Sequence, residues 1–370
     1  MRILHVGNPE AFKNLAICEH SLRRGDAVHY FSPVPPREEV PGIVYHYSPA
    51  GRRSRLGTLQ NVLRLRRVIR EVRPDLLHAH NVSGYGWMAA LSGFSPLLLH
   101  AYGGDVLPEQ MTGARRHQRW LSRHAVRRAA GIVVTGRHMV RAVAENFGIE
   151  EGKIRVIPRG VDLGRFRPFP RERRGELRRA FGIPEDAFVV LSPRYLFDSV
   201  YNIDVILEAF AALTERHPEI LLLQMHRHAE EDPAYRSVTA LMARLGIEGG
   251  ARLVPMVPSG SMADLYNLAD LCVSVPSSDG FPVTVLEASA CGVPLVVSRL
   301  AFTDEWFEEG KNGLVVPPGD APALAGAVEA LFSDRRRAKA FATHNQAKVR
   351  AEADGERCMD RLRDLYRELI

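Results

Sequence analysis

The segment 276–294 contains the residues best suited to bind an anionic ligand. It follows a strand-like run and opens a helical pattern, with Pro282 at the first helical position, where a missing N–H costs nothing. The next three backbone N–H groups lie at the positive end of the helix dipole, and they belong to Val283, Thr284 and Val285. A phosphate group binds favourably at such a helix start.

Two carboxylates flank this helix start. Glu287 falls one turn into the helix, within the apolar run 283–291. An unpaired charge in such a run is costly, so a hydrogen-bonding partner such as a sugar diol is expected. The alternative is that Glu287 is a solvent-facing helix carboxylate and Asp279 an ordinary turn residue. The residues alone leave both interpretations open.

The elements that position these residues alternate between strands and helices. Strand-like runs lie at 2–7, 27–32, 75–80, 96–102, 131–135, 153–158, 187–192, 219–224, 251–255, 271–275, 294–298 and 313–316. Alternation of this kind predicts the α/β class, with two Rossmann-like, doubly wound parallel domains. Ligands of such sheets collect beyond the carboxyl ends of the strands, so we expect a site in a cleft between facing domains.

The proline-rich connector 165–171 indicates a boundary near residue 170. We therefore predict a first domain at 1–170 and a second at 171–353. The final segment, 354–370, has a helical pattern, and we predict that it packs back onto the first domain.

The chain resembles the retaining nucleotide-sugar glycosyltransferases of family 4, which have the GT-B architecture. The family places two acids, separated by seven residues, around a Gly-Phe-Gly-like turn, and here Asp279 and Glu287 flank Gly280-Phe281-Pro282. The resemblance implies that Glu287 holds the ribose hydroxyls. It also implies that Asp279 and the backbone of Gly280 and Phe281 hold the donor sugar. Blocks 153–162, 262–270 and 310–320 also follow the family pattern, mainly as scaffold.

The resemblance extends to the cation expected at the leaving diphosphate. Arg194 stands where the family has a strand-end arginine, whose guanidinium would neutralise that group. The usual lysine five to eight residues later is absent, because 196–204 contains no lysine or arginine. Asn202 or Tyr201 can donate a hydrogen bond there without charge. The histidines and arginine at 226–228 replace a usual Gly-x-Gly, either as partial substitutes for the lysine or as surface loop residues.

In the first half, 97–106 resembles a family strand that ends in a glycine turn and an aspartate. The resemblance implies that Tyr102, Gly103, Gly104 and Asp105 line the site. A plain glycine turn with a capping aspartate is the alternative.

Charge is distributed unevenly. Residues 1–170 hold 26 basic and 13 acidic residues, whereas 171–370 hold 23 basic and 30 acidic ones. Arginines recur every four residues beside Trp120, at 115, 119, 123 and 127, and a second basic helix is predicted at 59–73. The first half therefore suits an anionic partner, and these helices are either a solvated arginine-rich face or a surface that docks on anionic lipid. Nucleic acid is not expected, since no recognition motif accompanies the charge.

The sequence lacks the features of membrane-spanning and secreted proteins, of disulfide frameworks and of metal sites. It has no apolar run long enough to span a bilayer and no secretory pattern, so we expect a cytoplasmic protein, associated at most with the inner membrane face. Its four cysteines are widely spaced, which argues against disulfides and a zinc cluster. His78 and His80 share a strand face, but no third ligand is evident nearby, so we predict neither a metal site nor a cofactor.

These features together predict a retaining hexosyltransferase-type enzyme that moves a sugar from a nucleoside-diphosphate sugar to a hydroxyl acceptor, which includes lipid-linked acceptors. A catalytically weak nucleotide-sugar-binding partner or scaffold is the first alternative. A nicotinamide oxidoreductase is the second, although neither half has a Gly-x-Gly-x-x-Gly turn after its first strand.

Overall fold

The computed structural model describes residues 1–48, 55–107, 115–194, 199–226, 231–257, 261–308 and 310–370. Contacts divide the chain into unit 1, residues 1–159 with 356–370, and unit 2, residues 160–355. The connector 160–170, which the sequence assigned to the first domain, makes its contacts in unit 2. The reason is local, since Val161 bridges to Asp354 and Phe166 lies in the unit 2 core.

Unit 1 is built on a sheet that has, in the described residues, seven parallel strands. They are β1 (Arg2–Val6), β2 (Ala27–Ser32), β3 (Ile43–Tyr47), β4 (Leu76–His80), β5 (Leu97–His100), β6 (Gly131–Val134) and β7 (Ile154–Val156). Their order in the sheet is β3-β2-β1-β4-β5-β6-β7. The helices are α1 (Phe12–Arg23), α2 (Arg55–Val72), α3 (Tyr85–Ser92), α4 (Arg116–Arg128) and α5 (His138–Phe147). The central strands are buried, because helices cover both faces of the sheet, and their side chains are apolar except for Arg2 and four histidines, His5, His78, His80 and His100.

Unit 2 repeats this plan with six parallel strands among its described residues. They are β8 (Phe188–Ser192), β9 (Ile220–His226), β10 (Ala251–Pro255), β11 (Leu271–Ser274), β12 (Leu295–Ser298) and β13 (Leu314–Val316). The order is β10-β9-β8-β11-β12-β13. The helices are α6 (Arg171–Ala180), α7 (Ile203–Thr214), α8 (Pro233–Leu245), α9 (Met262–Leu268), α10 (Val283–Ala290), α11 (Ala301–Trp306), α12 (Ala321–Ser333) and α13 (Arg335–Glu352).

The predicted α/β class with two parallel sheets is confirmed. Each of the twelve predicted strands is present, with ends within two residues of the prediction. The sequence missed β3, an edge strand that pairs with β2 in the described part of the sheet. Only Ile43 of that strand is buried, so it lacks the apolar run that identified the central strands.

The last helix, α14 (Gly355–Leu369), packs on unit 1. It buries four side chains against the sheet, Cys358, Leu362, Leu365 and Tyr366. Arg363 of this helix forms an ion pair with Asp26, with Nε 2.7 Å from Oδ2. The end of the chain thereby covers one face of the first sheet.

Candidate active site

The start of α10 differs from the prediction by one residue. Pro282 precedes the helix as its N-cap, with an extended ψ of 121°, and the helix begins at Val283. The N–H of Val285 donates to the Pro282 carbonyl at 3.2 Å, so the prediction of three available N–H groups is wrong. Val283 and Thr284 remain as the first helical N–H groups, which have no acceptor earlier in the helix. An anion at this helix start would therefore meet two N–H donors.

Glu287 is buried within α10, with 7% of its surface exposed. The Tyr266 hydroxyl, on α9, donates to Glu287 Oε2 over 2.9 Å. Burial, reinforced by the Glu287 charge, raises the pKa of Tyr266 well above its ordinary value, so the phenol keeps the proton that it donates. The solvent-facing interpretation of Glu287 is wrong. Tyr266 was missed as a functional residue, although it lies in block 262–270, which was assigned to scaffold.

Buried Arg194 and half-buried Asp279 form an ion pair beyond the ends of β8 and β11. Arg194 Nη2 lies 2.7 Å from Asp279 Oδ2, and Nε donates to the Ser274 hydroxyl at 3.2 Å. The amide of Gln224, from β9, donates to the Arg194 carbonyl at 2.6 Å. Burial opposes the charge of Arg194, but Asp279 outweighs it and raises the pKa of the guanidinium. Separate roles were predicted for these two residues, whereas their side chains form one ion pair.

Asn202 supports the turn that leads from β11 to α10. It precedes α7 with a left-handed φ of 50°, a conformation that asparagine tolerates well. Its amide nitrogen donates to the Val275 carbonyl at 2.8 Å, and its amide oxygen accepts from the Ser277 hydroxyl at 2.9 Å. The side chain therefore positions residues 275–277, a role the sequence did not predict.

Gly280 and Phe281 lie in the turn between Asp279 and the helix. The Phe281 ring is buried edge-on against Phe302 and Trp306, with centroids 5.7 and 5.4 Å away. Because the ring belongs to the core, the turn can offer a ligand its backbone but not this side chain.

The predicted first-domain residues follow β5 in unit 1. The carboxylate of Asp105 accepts the N–H of Val82 at 2.6 Å and that of Tyr102 at 3.0 Å. Burial raises the pKa of Asp105, although these backbone hydrogen bonds oppose the shift. Gly103 has a φ of 114°, and Gly104 beside it is exposed. Asp105 thus caps a glycine turn, as the plainer alternative proposed, and its catalytic role stays a prediction.

Tyr102 belongs to a cluster of aromatic side chains. Its hydroxyl lies 2.8 Å from His80 Nδ1 and donates to Asn14 Oδ1 at 3.2 Å. The guanidinium of Arg159 stacks over its ring at 4.0 Å. Arg159 thereby places a positive charge beside the glycine turn.

Of the residues suggested to replace the missing lysine, only some can be placed. Arg227 and His228 lie outside the described residues, as does part of the stretch 196–204. His226 ends β9 and stacks edge-on against Tyr235, with centroids 5.0 Å apart.

Two family models match the chain. One, described as glycosyl transferases group 1, matches residues 173–348, which contain Arg194, Asp279 and Glu287. The other, described as Glycosyltransferase Family 4, matches residues 14–165. The chain belongs to the family 4 glycosyltransferases. The nicotinamide oxidoreductase interpretation is therefore wrong.

Named relatives and solved structures agree with this assignment. This chain is 29% identical over 383 residues to D-inositol 3-phosphate glycosyltransferase of Saccharomonospora viridis. The match covers 94% of this chain and 86% of the relative. An enzyme of the same name from Geodermatophilus obscurus is 29% identical over 353 residues, across 87% and 78%.

Among solved structures, sucrose-phosphate synthase from Thermosynechococcus elongatus superposes with a TM-score of 0.85 at 20% identity, covering 100% of this chain and 99% of that one. Anabaena HepE in complex with UDP-glucose gives 0.83 at 18% identity, covering both chains fully at 100%. These similarities establish the GT-B fold.

Proposed function

We propose that this glycosyltransferase moves a sugar from a nucleoside-diphosphate sugar to a hydroxyl acceptor, with retention at the anomeric carbon. The bond from the anomeric carbon to the diphosphate oxygen breaks, and its electron pair leaves with the diphosphate. The acceptor oxygen forms the new bond on the same face. Its proton passes to the leaving phosphate oxygen, which explains why the mechanism needs no separate protein base.

The observation that carries the proposal is a buried cation and a helix start in the same unit of a family 4 glycosyltransferase. The N–H groups of Val283 and Thr284 together with the Arg194 guanidinium suit a diphosphate, since both offer donors to anionic oxygens. Such preorganised donors stabilise the charge that develops on a leaving diphosphate. The HepE structures with UDP and UDP-glucose add support, because a protein of the same fold binds this class of donor.

The two carboxylates supply the remaining donor contacts. Glu287, held by Tyr266, would accept hydrogen bonds from ribose hydroxyls. Asp279 would orient the transferred sugar together with the backbone of Gly280 and Phe281. Since Asp279 also neutralises Arg194, donor binding would exchange part of that ion pair for contacts to diphosphate and sugar.

The acceptor is proposed to carry an anionic group. The excess of basic residues in 1–170 favours such a substrate, and Arg159 places one cation beside Tyr102. The relatives named D-inositol 3-phosphate glycosyltransferase make inositol 3-phosphate the first acceptor to test. We propose that no metal ion is needed at the donor diphosphate, because Arg194 and the helix start supply the positive charge.

The test is a panel of UDP-, GDP-, ADP- and dTDP-sugars, with binding measured by calorimetry and turnover by nucleotide release. We expect one nucleotide class to bind, and its turnover to be unchanged when magnesium or manganese is added. Glu287→Gln removes the charge with little change in shape, and we expect it to weaken donor binding at least tenfold. Glu176→Gln is the matched control, since Glu176 is an exposed glutamate on α6 of the same unit.

The outcomes separate the parts of the proposal. If no nucleotide sugar binds, or Glu287→Gln binds the donor as wild type does, the assigned donor site is wrong. Binding without turnover over a broad acceptor panel would instead support the partner or scaffold function. A product with inverted anomeric configuration, read by NMR coupling constants, would refute retention.

Peripheral contact with an anionic membrane is a second proposal, carried by α2 and α4. Trp120 of α4 is 62% exposed, and Leu59 and Leu63 of α2 are 58% and 54% exposed. Exposed arginines accompany them on α4, namely Arg119, Arg123 and Arg127, while Arg115 precedes the helix as its N-cap. No helix in the described ranges is both long and apolar enough to cross a bilayer. Apolar side chains beside arginines suit docking at the surface of anionic lipid, which would keep the enzyme at the inner, cytoplasmic face.

Vesicle sedimentation tests this contact. Wild type should sediment with vesicles that contain phosphatidylglycerol and stay in solution with phosphatidylcholine alone. Trp120→Ser should reduce sedimentation several-fold, whereas exposed Phe181→Ser on unit 2 should not. Equal sedimentation with both vesicle types would refute the proposal.

A further inference from the structure

The centre of the first sheet carries a row of histidines that donor binding does not use. In the register of β1 and β4, His5 lies directly opposite His78. Two residues further along β4, His80 lies opposite His100 of β5. Residues two apart on a strand share one face, so these imidazoles gather on one side of the sheet. All four are at most 3% exposed.

Three of these histidines lie within metal-binding reach of one another. One ring nitrogen from each of His5, His78 and His80 lies within 4.8 Å of the corresponding nitrogen of the other two. His5 Nδ1 and His80 Nε2 are only 3.1 Å apart. Two imidazole nitrogens on a tetrahedral zinc ion are about 3.3 Å apart, given Zn–N bonds of roughly 2.0–2.1 Å. No third histidine was evident near His78 and His80 in the sequence, and strand pairing brings His5 to them.

Gly7 makes room for this arrangement. A Cβ at Gly7 would lie 2.4 Å from the Tyr30 hydroxyl and 3.1 Å from the His80 ring. Glycine therefore lets the His80 ring lie over the end of β1, where it meets His5.

Tyrosine hydroxyls hold the outer nitrogens of two of the rings. Tyr366, from α14, lies 2.7 Å from His78 Nδ1, and Tyr102 lies 2.8 Å from His80 Nδ1. An oxygen partner on Nδ1 leaves the Nε2 lone pair free to bind a metal, which is the usual outer-shell arrangement of histidine ligands.

Two ring nitrogens of this cluster are poorly satisfied by the protein. His78 Nε2, which would face the ion, and His5 Nε2, across its ring from the Nδ1 that meets His80, are buried and have no hydrogen-bond partner among the described residues. A buried polar atom without a partner is destabilising, typically by about 1–3 kcal/mol. Burial also lowers the pKa of His5 to about 3 and holds those of His78 and His80 well below the ordinary value. The three rings are thus neutral near pH 7, as metal ligands must be.

We propose that His5, His78 and His80 form a binding site for one divalent transition metal ion, with zinc as the best fit. Three imidazoles and a neutral, buried setting favour zinc, cobalt or nickel over magnesium or calcium, which prefer oxygen ligands. The proton shared by His5 Nδ1 and His80 Nε2 would move to Nε2 of His5, so that each ring stays neutral and offers a lone pair to the ion. The ion would join β1 to β4 and, through Tyr366, to the last helix. Its role would be structural and separate from the donor site of unit 2.

The test begins with untagged wild-type protein purified without a metal-affinity step. Its zinc content is measured by mass spectrometry, and the chain is then unfolded and refolded with Co²⁺, because the site is closed in the folded state. We expect one metal per chain and the intense visible absorption of tetrahedral cobalt. Absence of zinc as purified, together with no cobalt spectrum after refolding, would overturn the proposal from wild type alone.

Variants locate the ion. His78→Gln should abolish the cobalt spectrum, and Tyr366→Phe should weaken zinc affinity by roughly 10- to 100-fold, as loss of an outer-shell partner does. The matched control is His29→Gln, since His29 pairs with His46 at 3.1 Å but that pair lacks a third histidine among the described residues. If His78→Gln folds and retains one equivalent of metal, the assigned ligands are wrong. Calorimetry with the panel of UDP-, GDP-, ADP- and dTDP-sugars should be unaffected by Tyr366→Phe, so the outcome is independent of the donor-site proposal.

Discussion

Replacing Asp279 with alanine leaves the guanidinium of Arg194 without its carboxylate. At 2.7 Å the pair attracts with about 6 kcal/mol if the effective dielectric constant is about 20. Asp279 has 21% of its side chain exposed, and water would solvate part of the guanidinium once the carboxylate is gone. We therefore expect a net loss of about 2–3 kcal/mol, below the roughly 3–5 kcal/mol typical of a fully buried pair.

Differential scanning calorimetry measures this loss. Unit 2 spans residues 160–355, a size for which each kcal/mol moves Tm by about 2–4 °C, so Asp279→Ala should lower its transition by roughly 5–10 °C. Adding the nucleoside diphosphate chosen by the donor panel should raise Tm more in the variant than in wild type. The reason is that diphosphate oxygens then replace the missing carboxylate without competing for Arg194.

Two further variants make the result specific. Asp304→Ala removes an exposed ion pair with Arg299, whose side chains are 70% and 62% exposed, and should cost no more than about 1 kcal/mol. Arg194→Met combined with Asp279→Ala should cost less than the sum of the two single changes. If Asp279→Ala melts like Asp304→Ala, or the nucleotide protects it no better than wild type, the reasoning from a buried and compensated cation is refuted.

Two more predictions concern parts of the chain away from the donor site. Asp26→Asn should destabilise unit 1 by about 2 kcal/mol at pH 7, because Asp26 accepts from Arg363 at 2.7 Å and from the N-terminal ammonium at 3.0 Å. Burial opposes ionisation of Asp26, but these partners outweigh burial and lower the pKa of the carboxyl. The stabilisation by ionised Asp26 is therefore present above about pH 3.9, and it should vanish as pH falls through the pKa of Asp26 in the folded state. Urea titrations at neutral and acidic pH check this, and an equal deficit at both would contradict it. Gly160→Ala should lower the urea midpoint more than Gly148→Ala. Both glycines have positive φ, but a Cβ at Gly160 would lie 2.6 Å from Gly355 Cα, whereas a Cβ at Gly148 would lie in open space. Equal midpoints for the two variants would show that the clash at Gly160 relaxes.

Much of the fold was predictable because its signals are local. Buried parallel strands are short apolar runs, and these identified every strand except β3, whose edge position leaves only Ile43 buried. The acids at 279 and 287 could also be identified from local sequence, because both lie in one short segment that forms a turn and a helix. Pro282 shows the limit of local reasoning, because the composition suited the first helical position while the backbone placed it one residue earlier.

Contacts between distant segments were not predictable. Tyr266 was assigned to scaffold because nothing near it in the chain indicates that its hydroxyl would meet a carboxylate 21 residues later. The pairing of Arg194 with Asp279 spans 85 residues, and it turned two separately assigned groups into one compensated pair. Asp105 was predicted in a glycine turn, but nothing local indicated that it would also accept the N–H of Val82, 23 residues earlier.

The sequence by itself therefore determined the alternation of strands and helices, the excess of basic residues in 1–170, and the turn and helix start that carry Asp279 and Glu287. These depend on side-chain type and on spacing along the chain. Only the tertiary structure decided which side chains meet: Tyr266 with Glu287, Arg194 with Asp279, and His5 with His78 and His80. The physical reason is that parallel pairing brings together strands that are separated in sequence by whole helices. A residue's hydrogen-bonding partners and its burial depend on that register, which no local pattern records.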